Sequence, residues 1–205
     1  TDDIPVCGTV QFSDGCSEDL DPMIAYGLAL VHHMTYEEAD QVFTKVSDAD
    51  ENCFWGPWGK ALSYIHPLWN DPPSEERLKA GLDLSQKALK LAKNEKEMAY
   101  GRAVAAYYKD GLQKSDKERL KAFHDAWVLT FQANPDDLEA KAFYALSLIS
   151  VSDPTDKTFA NQVKAGRLAE EVLMEIGDHP GAFHYIIHAY DYPGLSDKAI
   201  RVANT

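Results

Sequence analysis

From residue 19 onward this chain is almost entirely amphipathic helical segments of about ten to eighteen residues, joined by short Asp/Asn/Pro/Gly turns. A chain patterned in this way must bury one stripe of every rod against other rods, so its fold class is all-α. The first helical signal is Asp19 to Asp21 with Pro22 in the first turn, where acids and proline favour a helix start. Residues 1–18 read differently. Ile4, Val6, Val10 and Phe12 fall on even positions, a partial alternation interrupted by Pro5 and Gly8, which predicts an extended segment. The expected division is therefore an extended N-terminal piece, 1–18, and a helical domain, 19–205.

The helices come in pairs. Leu20–Glu51 holds Gly27, then Tyr36-Glu-Glu-Ala39, then Phe43 and Val46, closed by Asp48-Ala-Asp50. A second unit from Asn52 carries Trp55, Trp58, Gly59 and Leu62, and is interrupted by an inserted loop near 66–74 before a helix capped by Ser74. Further pairs are expected at about Glu95–Lys109 with Asp116–Phe131, and Asp137–Ser150 with Thr158–Ile176. The fifth joins His179–Asp191 to Leu195–Thr205. A small residue within the first helix, an alanine early in the second and an aromatic four residues later resemble the tetratricopeptide repeat, a helix-turn-helix unit of about 34 residues. The resemblance implies a right-handed helical-repeat solenoid whose first helices line a concave groove, about five pairs long. A closer resemblance rests on Leu30-Val-His-His-Met-Thr-Tyr-Glu-Glu-Ala39, Cys53-Phe-Trp-Gly-Pro-Trp-Gly-Lys-Ala-Leu62 with His66-Pro-Leu-Trp69, and His179-Pro-Gly-Ala-Phe-His184 to Tyr190-Asp-Tyr-Pro193. These strings are similar to an exported bacterial tetratricopeptide family of unsettled function, which implies a secreted or periplasmic protein.

The fifth first-helix carries the main functional clue. Wound as a helix, it puts Phe183, Ile186, Ile187 and Tyr190 on a stripe for burial, with Ala182, Tyr185 and Ala189 opposite. Between them His184, His188 and Asp191 lie at i, i+4, i+7, where two imidazoles and a carboxylate can converge on a divalent metal (copper, zinc or nickel) or a small anion. Further ligands are sought at His32 in the first unit and His66 in the inserted loop, both carried as outlying because an open superhelix sets the first and fifth units apart. His124 and His179 read as structural. Trp55 and Trp58, at helical spacing, read as core; Trp69, in a Pro-rich loop, reads as the edge of a binding groove.

The spacing of His184 and His188 is that of a zinc-protease helix, but no glutamate follows His184 to act as general base. With no phosphate loop or nucleophile elbow either, the chain is not read as an enzyme. A net charge of −13 repels phosphate backbones, which argues against a nucleic-acid partner, and no apolar run suffices to insert in a bilayer. The reading is a non-catalytic scaffold taking a peptide, protein segment or small ligand in its groove; the alternative is a periplasmic metal-binding protein.

Three cysteines, Cys7, Cys16 and Cys53, allow three single pairings, and their clustering at one end favours a disulfide. The pairing expected is Cys16–Cys53, since both precede the first helices of adjacent units, as in the resembling family. Finally, Ile24, Leu28 and Val31 form an apolar stripe on the first helix that needs a cover. Residues 3–13, with Ile4, Val6, Val10 and Phe12, are expected to lie on it as a cap.

Overall fold

A computed structural model of the chain describes residues 4–13, 16–153 and 155–203. Residues 1–3 and 14–15 of the expected extended segment, Pro154 of an expected turn and residues 204–205 of the last expected helix lie outside the described residues. Within them the protein is all-helical, without strands: α1 (Asp21–His32), α2 (Tyr36–Ala49), α3 (Trp55–Ser63), α4 (Glu75–Leu91), α5 (Glu95–Tyr108), α6 (Asp116–Ala133), α7 (Leu138–Ser150), α8 (Ala160–Glu175), α9 (Pro180–Tyr190) and α10 (Ser196–Ala203). No helix among them is long and apolar enough to cross a membrane.

Side-chain caps set several of these starts. Ser74, Asn94 and Asp137 accept the backbone N–H groups of Arg77, Glu97 and Ala140, and Ser115 with Glu118 closes a capping box at α6. Each helix packs on the next in the chain. The odd-numbered helices also meet one another: α1 touches α3 and α9, α3 touches α5, and α7 touches α9. They form an inner layer that closes on itself where α1 reaches α9. This corrects the expectation that the first and fifth units stand apart.

Large aromatics fill the inner layer, which is why it can close. Trp55 and Trp58 of α3 meet edge-on at 5.1 Å, Trp58 lies 5.9 Å from Tyr100 of α5, and Trp127 of α6 stacks on Phe143 of α7 at 4.6 Å. All five are fully buried. Such ring pairs add about 0.5–1.5 kcal/mol each beyond their area. The Trp58 indole N–H donates to the Tyr100 carbonyl at 3.0 Å, so its polar edge is also satisfied.

The N-terminal segment departs from its expected course. Residues 4–8 do flank the start of α1, beside Pro22, Ala25 and Tyr26. At Gly8 (φ 95°) the chain turns away, and a Cβ there would come within 2.4 Å of the Asp178 carbonyl. Beyond Gly8 the segment crosses the N-terminal ends of the inner helices. Thr9 Oγ1 donates to Asp178 (3.1 Å), Phe12 meets Trp55 edge-on (5.8 Å), and Ser13 Oγ donates to Glu97 (3.0 Å). Val6 is 94% exposed rather than buried, while Val10 and Phe12 pack on the core. Ile24, Leu28 and Val31 are indeed buried, but α1 is enclosed by α2, α3 and α9, so the segment is not their main cover. The segment is then tied down by the Cys16–Cys53 disulfide, as expected; Cys7 is free and half-buried.

Candidate functional site

Three chain regions bring a carboxylate and two imidazoles together in the interior. His32 ends α1, Glu139 sits in the first turn of α7, and His179 is the N-cap of α9, with Pro180 in the first turn behind it. All three are fully buried. His32 Nε2 bonds Glu139 Oε1, and His179 Nε2 lies 3.3 Å from Glu139 Oε2. The Gln11 backbone N–H adds a third donor to Oε2 at 2.9 Å, so the N-terminal segment takes part in the cluster.

The tautomers follow from the partners. The Ala182 N–H donates to His179 Nδ1 at 3.1 Å, so the proton of that ring is on Nε2 and points at the carboxylate. His32 Nδ1 is 2.7 Å from the Tyr185 hydroxyl, which donates to it, leaving His32 Nε2–H for Glu139. Burial pushes the carboxyl up, but attraction and hydrogen bonds from His32 and His179 outweigh it and hold Glu139 well below the usual carboxylate range. Burial pushes His32 below its ordinary value, against the pull of Glu139. The arrangement is an ionised glutamate held by N–H donors from two neutral rings and one backbone amide. Gly181 makes room for it: a Cβ there would stand 2.4 Å from His32 Nδ1.

The ligand-type atoms of His32, Glu139 and His179 lie within 4.8 Å of one another, and such a group could bind a metal ion. Loading it has a specific cost. His179 Nε2 would have to give up its proton, and moving that proton to Nδ1 would set it against the Ala182 N–H and undo the cap of α9.

The outer pair on α9 is arranged differently. His184 and His188 are both half-buried, and His184 Nδ1–H donates to the His32 carbonyl at 2.9 Å. That leaves a lone pair on His184 Nε2, which sits 3.0 Å from His188 Nε2 and accepts its proton. Burial lowers both pKa values; the neighbouring His184 lowers that of His188 further and Asp191 opposes it. Asp191 does not complete the expected trio, since among the described residues the only such group in mutual reach is His32, Glu139 and His179. The reason is local. Asp191 is the C-cap of α9, exposed, with φ −75° and ψ 57°, so it has left the helical face that the i, i+4, i+7 spacing assumes. His32 is likewise no third ligand for this pair, because both its ring nitrogens are engaged; it contributes a carbonyl instead.

His66 stacks on Tyr36 at 4.4 Å and donates from Nδ1 to Asp71 at 3.0 Å. Its Nε2 and the Tyr36 hydroxyl are buried without a hydrogen-bond partner. Trp69, in the loop after α3, meets His188 edge-on at 6.5 Å and is 51% exposed, unlike the three buried tryptophans. It edges a cleft of about 810 Å³ with Leu68, Leu120 of α6 and Val151 beyond α7, rimmed by Lys117 and Asp153. His124 bonds Ser147 at 3.1 Å, consistent with a structural role.

Sequence reasoning did not single out Glu139, Tyr185 or His179 as site residues. A signal for Glu139 did exist: with Ala142, Phe143 and Leu146 it shares the apolar face of α7, where an acid is out of place. Comparison with known families, curated proteins and solved structures finds no match for this chain.

Proposed function

We propose that the chain is a non-catalytic binding scaffold of tetratricopeptide-like helix pairs, forming a right-handed repeat array, that takes a peptide or protein segment in the cleft edged by Trp69. Support for the repeat reading comes from Gly27 of α1 and Gly59 of α3, which both abut the ring of Phe43 on α2, joining the small and aromatic residues of the motif. Trp55, Trp58, Tyr100 and Phe143 are buried between the first helices of the pairs, and the cleft edged by Trp69 is the concavity we take as the binding surface. The observation that carries the reading is Trp69 itself. It is the one tryptophan left half-exposed, in a concavity within the usual range of about 300–1,000 Å³ for ligand sites, with apolar walls and a charged rim. The Cys16–Cys53 disulfide supports residence in an oxidising compartment, secreted or periplasmic.

A random heptapeptide display library panned on the wild type and on Trp69→Ala tests this. A consensus enriched by the wild type and lost in a variant of unchanged melting temperature supports it. No consensus, or the same peptides enriched by both proteins, refutes it.

A further inference from the structure

We propose that His184 and His188 form a two-histidine site for a divalent transition-metal ion, with Cu(II) preferred, on the wall beside Trp69. The separation of the two Nε2 atoms, 3.0 Å, is the first ground. Two imidazole nitrogens that meet at this distance can both reach one ion at about 2.0–2.1 Å once the hydrogen bond between them is given up. Among divalent first-row ions, nitrogen ligands bind Cu(II) most tightly.

The second ground is the His32 carbonyl. A metal-binding histidine usually donates its other N–H to a carbonyl or carboxylate, which fixes ring and tautomer. His184 already does so at 2.9 Å, and its free lone pair faces its partner ring. The carbonyl comes from the end of α1, so the contact between α1 and α9 orients the ligand. His188 needs one change. Its Nε2 proton, now donated to His184, moves through water to Nδ1, an atom engaged by no hydrogen bond among the described residues. The ring stays neutral, both Nε2 lone pairs are then free, and rotation of the two rings turns them from each other onto a shared ion. The remaining coordination positions are taken by water.

This site differs from the buried group in that loading it disrupts no helix cap. Filling the buried group removes the cap of α9, whereas filling the outer pair exchanges one hydrogen bond between histidines for two metal bonds.

The test uses tag-free, chelator-treated protein titrated separately with Cu(II), Ni(II) and Zn(II). One Cu(II) per chain is expected, bound more tightly than the other two. Electron paramagnetic resonance of the copper-loaded wild type should show two imidazole nitrogens. His184→Ala and His188→Ala should each weaken binding by about 100-fold or more, beyond the 10–100-fold typical of losing a supporting partner. His66→Ala should bind as the wild type does. Bound Cu(II) should quench Trp69 fluorescence, and Trp69→Phe should bind copper equally while losing that quenching. The proposal is overturned by three results: no stoichiometric binding, a wild-type spectrum without two imidazoles, or copper retained by the double alanine variant and lost only in His179→Ala. Peptide capture by metal-free protein, measured separately, keeps the cleft reading independent of this outcome.

Discussion

Replacing Glu139 with glutamine keeps the side chain's shape and removes its charge, which isolates the work of the buried carboxylate. Its two oxygens accept from His32, His179 and the Gln11 N–H, whereas an amide accepts at one oxygen only. Two of the donors cannot turn round. Gln11 donates from the backbone, and the Ala182 N–H fixes the tautomer of His179. The amide oxygen must therefore take the Oε2 place. The amide NH2 then faces His32 Nε2, whose proton has to move to Nδ1, and the Tyr185 hydroxyl has to turn from donor to acceptor. Hydrogen bonds to charged groups are worth about 1.5–3 kcal/mol against about 1 kcal/mol for neutral ones, and relief of a buried charge offsets part of the loss. We expect Glu139→Gln to destabilise by about 2 kcal/mol, and Glu139→Ala, which leaves every donor without its acceptor, by about 3–5 kcal/mol. At about 2–4 °C per kcal/mol for a chain of this size, the melting temperature falls by roughly 4–8 °C and 6–20 °C respectively. Circular-dichroism melts and urea titrations at pH 7.5 measure both. The pH dependence gives a second reading. Glu139 is held below its ordinary 4.5, so its stabilisation is complete above that pH and is lost as pH falls through the folded value. His32 is held below 6.5, so under that pH the unfolded chain takes up a proton first, which also weakens the fold. Acid therefore acts with one sign on both groups. Stability should be level from about pH 7 to 9 and fall below 6.5, by up to about 1.4 kcal/mol per pH unit for each group, with His124, His184 and His188, also lowered by burial, adding to the slope. Glu139→Gln should remove Glu139's share of the decline below pH 4.5. If Glu139→Gln melts within about 1 °C of the wild type, the network does not hold the three helices together and the reasoning fails.

Two further outcomes are expected. Cys53→Ser opens a closed loop of 37 residues, which should lower stability by about 4 kcal/mol on the chain-entropy argument and raise proteolysis of the N-terminal segment; urea midpoints and peptide mapping under non-reducing conditions check it, and an unchanged midpoint contradicts it. Gly181→Ala puts a Cβ within 2.4 Å of His32 Nδ1, on a ring held at both nitrogens, so a loss of about 1–3 kcal/mol is expected in the same melts.

What the sequence made legible is what local periodicity and caps encode. The helix expected at Asp137–Ser150 is α7, Leu138–Ser150, because Asp137 caps it through Ala140. Ser74 starts α4 as its type and position suggested, and Trp55 and Trp58 are core as their helical spacing implied. The disulfide was also within reach, since two cysteines opening adjacent helix pairs lie at the same end of neighbouring rods. The path of the N-terminal segment was not. Its alternation said that one side wanted burial, but Gly8 turns it off α1, and its partners Asp178, Glu139 and Trp55 lie at or just before the starts of three other helices.

The histidines show most clearly where periodicity stops informing. Spacing correctly put His184 and His188 on one face of α9, because i and i+4 stay within a single helix. It put Asp191 with them only on the assumption that the helix continued, and the helix ends one residue earlier. His32 to Glu139 spans 107 residues and His32 to Tyr185 spans 153, distances over which no local pattern correlates. What joins them is the return of α9 onto α1. The aromatic layer reaches that junction through Phe143, which meets Trp58 edge-on at 6.0 Å and stacks on Trp127 at 4.6 Å and on His32 at 4.9 Å. Losing the junction would take the His32 carbonyl out of reach of His184, and with it the contact that fixes the tautomer of the α9 pair. The geometry of the outer pair, though written on one helix, therefore depends on packing around the whole inner layer.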